Sequence, residues 1–160
     1  GLECPDRKCF VLGSYADANR KTLPLLIRNK YSMYEIPVPL ENEPGNQANE
    51  DQWLPGPVEQ AHKVVLKLQD VYIDNAAVRE RMLHELINLA AAATTTSREP
   101  VHFLVTGGKT ATLLCRKLNW DALTVVNVPG EGVTTLQNRD TEHCLTVKPG
   151  SYDWPDSLLK

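Results

Sequence analysis

Short apolar runs alternate along this chain with stretches whose apolar residues recur every three or four positions. Lys8 to Leu12 is the first run, a strand closing at Gly13-Ser14. A helix follows, with Asp17 or Thr22 as its cap and Leu23, Leu26 and Ile27 on its inner face. Pro24 fits a helix best in its first turn, which favours a start near Thr22. Tyr31 to Val38 alternates and is rich in β-formers, so it reads as a second strand that Pro37 and Pro39 bring to an end. Lys63 to Leu68 is a third strand. Asp74 then caps a helix running to about Ala93, whose stripe of Val78, Met82, Leu86, Leu89 and Ala93 keeps to one helical face. Thr94 to Ser97 ends it, since these residues are poor helix formers.

Val101 to Val105 is a fourth strand, apolar except for His102. Thr106-Gly107-Gly108-Lys109-Thr110 turns the chain into a helix that reaches Leu118. Leu123 to Val128 is a fifth strand, closed by Pro129-Gly130, and His143 to Val147 a sixth, closed by Lys148-Pro149-Gly150-Ser151. Strands alternating with helices predict an α/β fold: a three-layer domain with a mostly parallel sheet and helices on both faces. The 160 residues suffice for a single domain, 1–160, and not for two ordinary ones. Residues 40–57 carry almost nothing to bury except Trp53-Leu54 and read as a polar surface loop.

Composition narrows the classes of function. Hydrophobic residues at 42% and charged residues at 23% are the balance of a globular protein in water. The formal net charge is -3, with no basic stripe, so nucleic acid is not an expected partner. No apolar run approaches the roughly 20 residues that span a bilayer, so no membrane is expected either. Gly1 to Pro5 lacks the features of a signal peptide, and a cytoplasmic location is expected. Cys4, Cys9, Cys115 and Cys144 form no Cys-x-x-Cys pair, and no metal site is expected. Cys115 and Cys144 read as small apolar residues of a helix and a strand.

Chemistry concentrates at the turns. In a parallel sheet, Gly13-Ser14, Gly107-Gly108, Pro129-Gly130 and Pro149-Gly150 gather at the carboxyl edge, where ligands bind. Glycines let backbone N–H groups approach a ligand, and the helix beginning at Gly108 offers its dipole to an anion. Lys109, Thr110 and Lys148 add charge and a hydroxyl. A single turn of this kind is more often explained by geometry alone, but Gly107-Gly108 carries more weight because Lys-Thr and then a helix follow it at once. A Walker loop is excluded, because the position of its first glycine is Phe103, inside the strand. The dinucleotide fingerprint is absent as well. His62, His84, His102 and His143 have no metal-ligand spacing. His84 reads as a helix-surface residue, His102 and His143 as strand residues, and Trp53, Trp120 and Trp154 as packing residues. Asp70 and Asp74 read as loop and cap.

The order of these turns resembles the C-terminal, nucleotide-binding domain of the four-carbon acid sugar kinases. Val11-Leu12-Gly13-Ser14 matches that domain's first strand and Gly-Ser. Leu104 to Ala111 matches its strand and Thr-Gly-Gly-acid-Thr-Ala turn, Pro129-Gly130 its Pro-Gly turn, and Lys148 to Tyr152 echoes its closing Lys-x-Gly segment. The resemblance covers nearly the whole chain. It implies ATP and Mg²⁺ as cofactors and a sugar-acid-binding domain or chain as partner. It implies a nucleotide pocket of Gly13, Ser14, Gly107, Gly108, Lys109, Thr110, Gly130, Lys148 and Gly150. Three departures stand out. Lys109 replaces the family's acid, Glu131-Gly132 follows Pro129-Gly130, and Tyr152-Asp153-Trp154 replaces Phe-Gly. A lone domain of this kind presents ATP for phosphorylation of a sugar-acid hydroxyl but is not expected to catalyse transfer, since positioning of both substrates supplies much of the rate. The alternative is a degenerate, non-catalytic binding or assembly module of the same fold, for which a stable oligomer indifferent to nucleotide is the mark. A standalone enzyme on a phosphorylated metabolite ranks third, because no acid/base pair emerges.

Overall fold

Runs too apolar to face water line up as neighbouring strands in the structure, a computed structural model that describes residues 3–13, 17–37, 62–69, 74–95 and 99–160, with the backbone alone at 17–19. The elements are β1 (Lys8–Leu12), α1 (Asp17–Arg28), β2 (Ser32–Ile36), β3 (Lys63–Leu68), α2 (Ala76–Thr95), β4 (His102–Thr106), α3 (Gly108–Leu118), β5 (Leu123–Gly130), β6 (Val133–Asn138) and β7 (Cys144–Lys148). They build a seven-stranded sheet in the order β2-β3-β1-β4-β7-β6-β5. The strands from β2 to β7 in that order are parallel. β6 runs antiparallel to both β7 and β5, so β5 points the same way as the parallel set.

Alternation along the strands divides the core in two. Cys9, Val11, Val64, Leu66, Phe103, Val105 and Leu145 face one side, under Met82, Leu86 and Leu89 of α2 and Leu114 of α3. Phe10, Leu12, Val65, Leu104 and Val133 face the other, under Leu26 of α1 and Trp154 and Leu159 of the C-terminal segment. Helices thus cover both faces of a mostly parallel sheet, the three-layer α/β architecture the sequence predicts. The segment after β7 crosses the α1 face back to the start of β1. There Lys8 Nζ donates to the main-chain oxygens of Leu158 (3.1 Å) and Lys160 (2.9 Å), and Asn29 Nδ2 to that of Leu159 (2.8 Å). No helix among the described residues is long and apolar enough to cross a membrane.

Several local expectations are corrected. The helix after β1 begins at Asp17, and Pro24 lies inside it rather than in its first turn. Pro24 sits on the exposed side of the helix, where the lack of its N–H costs least. Thr22 is a buried inner-face residue one turn before Leu26, while Ile27 is 56% exposed. The second strand is shorter than Tyr31 to Val38, and Val38 lies outside the described residues. The cap of α2 is Asn75, not Asp74: its Oδ1 accepts from the N–H groups of Ala77 (2.9 Å) and Val78 (3.3 Å). Thr94 and Thr95 complete the last turn of that helix, their hydroxyls donating to the carbonyls of Ala91 and Ala92. β6 is an additional strand, and the β5–β6 hairpin turns at Glu131-Gly132, where Gly132 has φ 73°. His143 precedes β7 rather than lying in it. The 40–57 loop, Trp53 and Asp70 lie outside the described residues.

Candidate nucleotide-binding edge

β1 and β4 are neighbours, yet the chain leaves them in opposite directions. From β1 it passes through α1 to β2, and from β4 through α3 to β5 at the other end of the sheet. The two connections lie on opposite faces, so a crevice opens at the carboxyl ends of these two strands, where ligands of open α/β sheets bind. Gly13 and Gly107 are the residues at its rim. Leu12 pairs with Thr106, and Thr106 with Lys148. The ends of β1, β4 and β7 are therefore level, and β5, parallel to them, ends at Gly130 on the same edge.

At Gly13 only glycine fits: a Cβ would stand 2.7 Å from Thr110 Oγ1 and 3.1 Å from Leu83 Cδ1. Gly107 has φ 94°, a conformation that side chains strongly disfavour. Its N–H donates to the carbonyl of Lys148 at 2.8 Å, prolonging the β4–β7 ladder by one bond. That group is thereby spoken for. Its carbonyl accepts from Ala111 at 3.2 Å and opens α3. Its N-cap residue, Gly107, has no side chain to cap it. The N–H groups of Gly108, Lys109 and Thr110 belong to a first turn with no acceptor inside the helix. Gly108 stands clear, with nothing within 4 Å of where a Cβ would be.

The charged groups are held back from that turn. Lys109 Nζ reaches sideways to Glu80 Oε2 of α2, 2.7 Å away, while His84 Nε2 is 3.7 Å from the other oxygen of Glu80. The ammonium holds the Glu80 carboxyl below its usual pKa. Lys148 is wholly buried. Its Nζ donates to the carbonyls of Pro149 (2.9 Å) and Tyr152 (2.5 Å) and lies 5.5 Å from the centre of the Trp154 ring. Burial lowers its pKa, and the nearby Asp153 works against that. The indole N–H of Trp154 is buried without a partner among the described residues.

The remaining sequence-derived residues are dispersed. Gly130 lies under the C-terminal segment, where a Cβ would meet Pro155 Cγ at 2.8 Å, and Gly132 lies against the Tyr152 ring. Gly150 sits in the turn that Tyr152 N closes on Pro149 O at 3.1 Å. Ser14 lies outside the described residues. The structure thus brings Gly13, Gly107, Gly108, Thr110 and the backbone of Lys148 together, while Lys109 pairs with Glu80, Gly130 packs under Pro155 at the end of the edge strand β5, and Gly150 lies in the turn after β7.

One polar chain was not legible in the sequence. His102 Nε2 lies 2.6 Å from Thr146 Oγ1, which lies 2.7 Å from Thr135 Oγ1, all buried on the α1 face. Desolvation, helped by Lys8, depresses the His102 pKa to about 4, so the ring is neutral at pH 7. His143 accepts from Val101 N at 2.9 Å through Nδ1 and stacks on Trp120. His84 is on the helix surface, as expected, and Trp120 and Trp154 are core residues.

No family model matches this sequence, and no curated protein matches it. Solved structures do. A domain of unknown function (DUF1537) from Bordetella bronchiseptica, holding citrate and forming a domain-swapped dimer, superposes with a TM-score of 0.71 at 17% identity over 94% of this chain. A DUF1537 protein of Haemophilus influenzae gives 0.65 at 17% identity, also over 94%. A protein of Salmonella typhimurium LT2 gives 0.71 at 15% identity over 96%. The fold is shared with these proteins. The chain spans only 38–39% of each of them.

Proposed function

We propose that this domain binds ATP at the carboxyl edge of its sheet, phosphates against the first turn of α3, as the nucleotide-binding part of a two-domain kinase acting on a sugar-acid hydroxyl. The observation that carries this reading is the packing of Gly13, at the end of β1, against Thr110 in the first turn of α3, which opens at Gly107-Gly108 beside it. The residue resemblance to four-carbon acid sugar kinases and the DUF1537 fold, which corresponds to that family, support the same reading from two directions. The citrate in the Bordetella bronchiseptica protein is in keeping with an acid substrate.

Backbone N–H groups of Gly108, Lys109 and Thr110 hold phosphate in this reading, and Lys109 joins them by leaving Glu80. Gly13 and Gly107 supply close approach. Lys148, Gly130 and Gly150 shape the rim from behind. Mg²⁺, which the resemblance implies, would accompany the phosphates at the first turn of α3 and offset their charge. The sugar acid and the groups that read it belong to a second domain or chain, so transfer by this domain alone is not expected. The four cysteines are free, which suits a cytoplasmic setting.

A second reading has its own support. Lys109 is paired, Lys148 is buried and the Gly107 N–H is occupied, as in a module of this fold that no longer handles nucleotide. Thermal melting with ATP or ADP and Mg²⁺ separates the two: binding raises the melting temperature. No shift at millimolar nucleotide, together with an oligomer unchanged by it, establishes the second reading and overturns the first.

A further inference from the structure

We propose that Cys4 and Cys144 form a site of reversible oxidation by hydroperoxides at the amino edge of the sheet, closed as a disulfide between the segment before β1 and the start of β7. The inference is independent of the nucleotide reading, since it concerns the opposite ends of the same strands.

β1, β4 and β7 begin level with one another. Lys8 pairs with His102, and His102 with Cys144. Main-chain bonds join their starts, from His102 N to Arg7 O (2.8 Å) and from Cys144 N to Val101 O (3.0 Å). Cys4 lies just ahead of β1 in the chain and reaches across the start of β4, where its thiol is hydrogen-bonded to that of Cys144. The two sulfurs thus touch although they come from opposite ends of the sequence. The other two cysteines are placed elsewhere: Cys9 is sealed in the core under α2, and Cys115 lies on α3.

The pair is unequal in the way such chemistry requires. Cys4 is partly exposed and Cys144 wholly buried, so an oxidant meets Cys4 first. Donation from the Cys144 S–H lowers the Cys4 pKa; partial burial opposes this and the Lys8 ammonium adds to it. The same bond, together with burial, raises that of Cys144. Cys4 is therefore the nucleophile, because the thiolate is the reacting form. It attacks one peroxide oxygen, the O–O bond breaks, and hydroxide leaves and takes up a proton as water. Cys4 is then a sulfenic acid. The Cys144 sulfur attacks the Cys4 sulfur, the S–S bond forms as the S–O bond breaks, and the Cys144 proton leaves with the hydroxyl as a second water. Two thiols are oxidised to one disulfide while one peroxide is reduced to two waters. A thiol already resting against the sulfenic acid intercepts it before irreversible oxidation.

The chain is treated with hydrogen peroxide and digested without reductant, and its peptides are read by mass spectrometry. A single bridged species, Cys4 with Cys144, should form within one chain, and dithiothreitol should release it. Cys4 should react about tenfold faster than Cys115, whose pKa burial raises. In Cys144→Ser the sulfenic acid has no partner, and dimedone should trap it on Cys4. In Cys4→Ser, Cys144 should stay reduced. Circular dichroism checks that both variants are folded, and the unaltered chain decides the matter without them. Peroxide that oxidises Cys4 no faster than Cys115, that carries Cys4 to sulfinic acid with no bridge to Cys144, or that links two chains instead, overturns the proposal.

Discussion

Gly13 and Thr110 face each other across the crevice between β1 and β4, so closely that the Thr110 hydroxyl fills the space a Cβ at Gly13 would need. The turn after β1 and the first turn of α3 are therefore fitted to each other, although they are far apart in sequence. Gly13→Ala should destabilise the domain by about 1–3 kcal/mol, as overpacking does. Thr110→Ala, which removes the obstructing atoms, should restore part of that loss when combined with it. Urea unfolding of the two single variants and the double variant measures the coupling. Strict additivity would mean that the two turns are not in contact.

Lys109 and Glu80 give a prediction with two signs. If Lys109 leaves Glu80 to meet phosphate, Lys109→Ala should weaken ADP severalfold and Glu80→Gln, which frees the ammonium, should tighten it. Both residues are exposed, and neither change should move the melting temperature of the free domain measurably. Calorimetric titration with ADP at two salt concentrations tests this. Equal weakening by both variants would show that the pair itself, rather than the freed lysine, matters.

Lys148 is expected to act on stability before affinity. Lys148→Met keeps the length of the side chain and removes the donor that holds the carbonyls of Pro149 and Tyr152. Losing those bonds inside the protein should cost about 1–3 kcal/mol. A loss of ADP binding with no loss of stability, by calorimetry and denaturant unfolding, would instead make Lys148 a direct ligand.

Burial of His102 links stability to pH. Its pKa falls from the ordinary 6.5 to about 4 on folding, so between those values the unfolded chain binds a proton that the folded one refuses. Stability is thus complete above pH 6.5 and declines as pH falls toward 4, by about 2 kcal/mol between pH 7 and 5. His143, also lowered by burial, adds a loss of the same sign. His102→Gln should flatten this acid limb in unfolding experiments at pH 7 and 5. An unchanged slope would assign the effect elsewhere.

How much of this was legible in the residues depends on where the information lies. Val101 to Leu118 reads clearly because an almost unbroken apolar run meets two glycines and then a helical pattern, all local signals. β6 does not: Val133 to Asn138 has only Val133 and Leu136 as apolar residues, and its Thr and Gln positions are those of a strand near the sheet edge. Thr135 is buried there with its hydroxyl paired to that of Thr146, which in turn pairs with His102. The burial of Lys148 was equally hidden, since lysine is nearly always exposed and its partners are carbonyls of a turn that forms only with the fold. Likewise the Glu80–Lys109 pair needs α2 and α3 side by side. The glycines announced the edge of the site; the groups that occupy or guard it are set by tertiary contacts between elements.

The bond from Gly107 N–H to the Lys148 carbonyl has an optical consequence. It joins the rim of the crevice to the residue whose ammonium lies over the ring of Trp154, 5.5 Å from its centre. Indole emission responds to a neighbouring positive charge. In a chain with Trp53→Phe and Trp120→Phe, the remaining fluorophore should report any displacement of the glycine turn as a change in intensity or wavelength, with no dye attached.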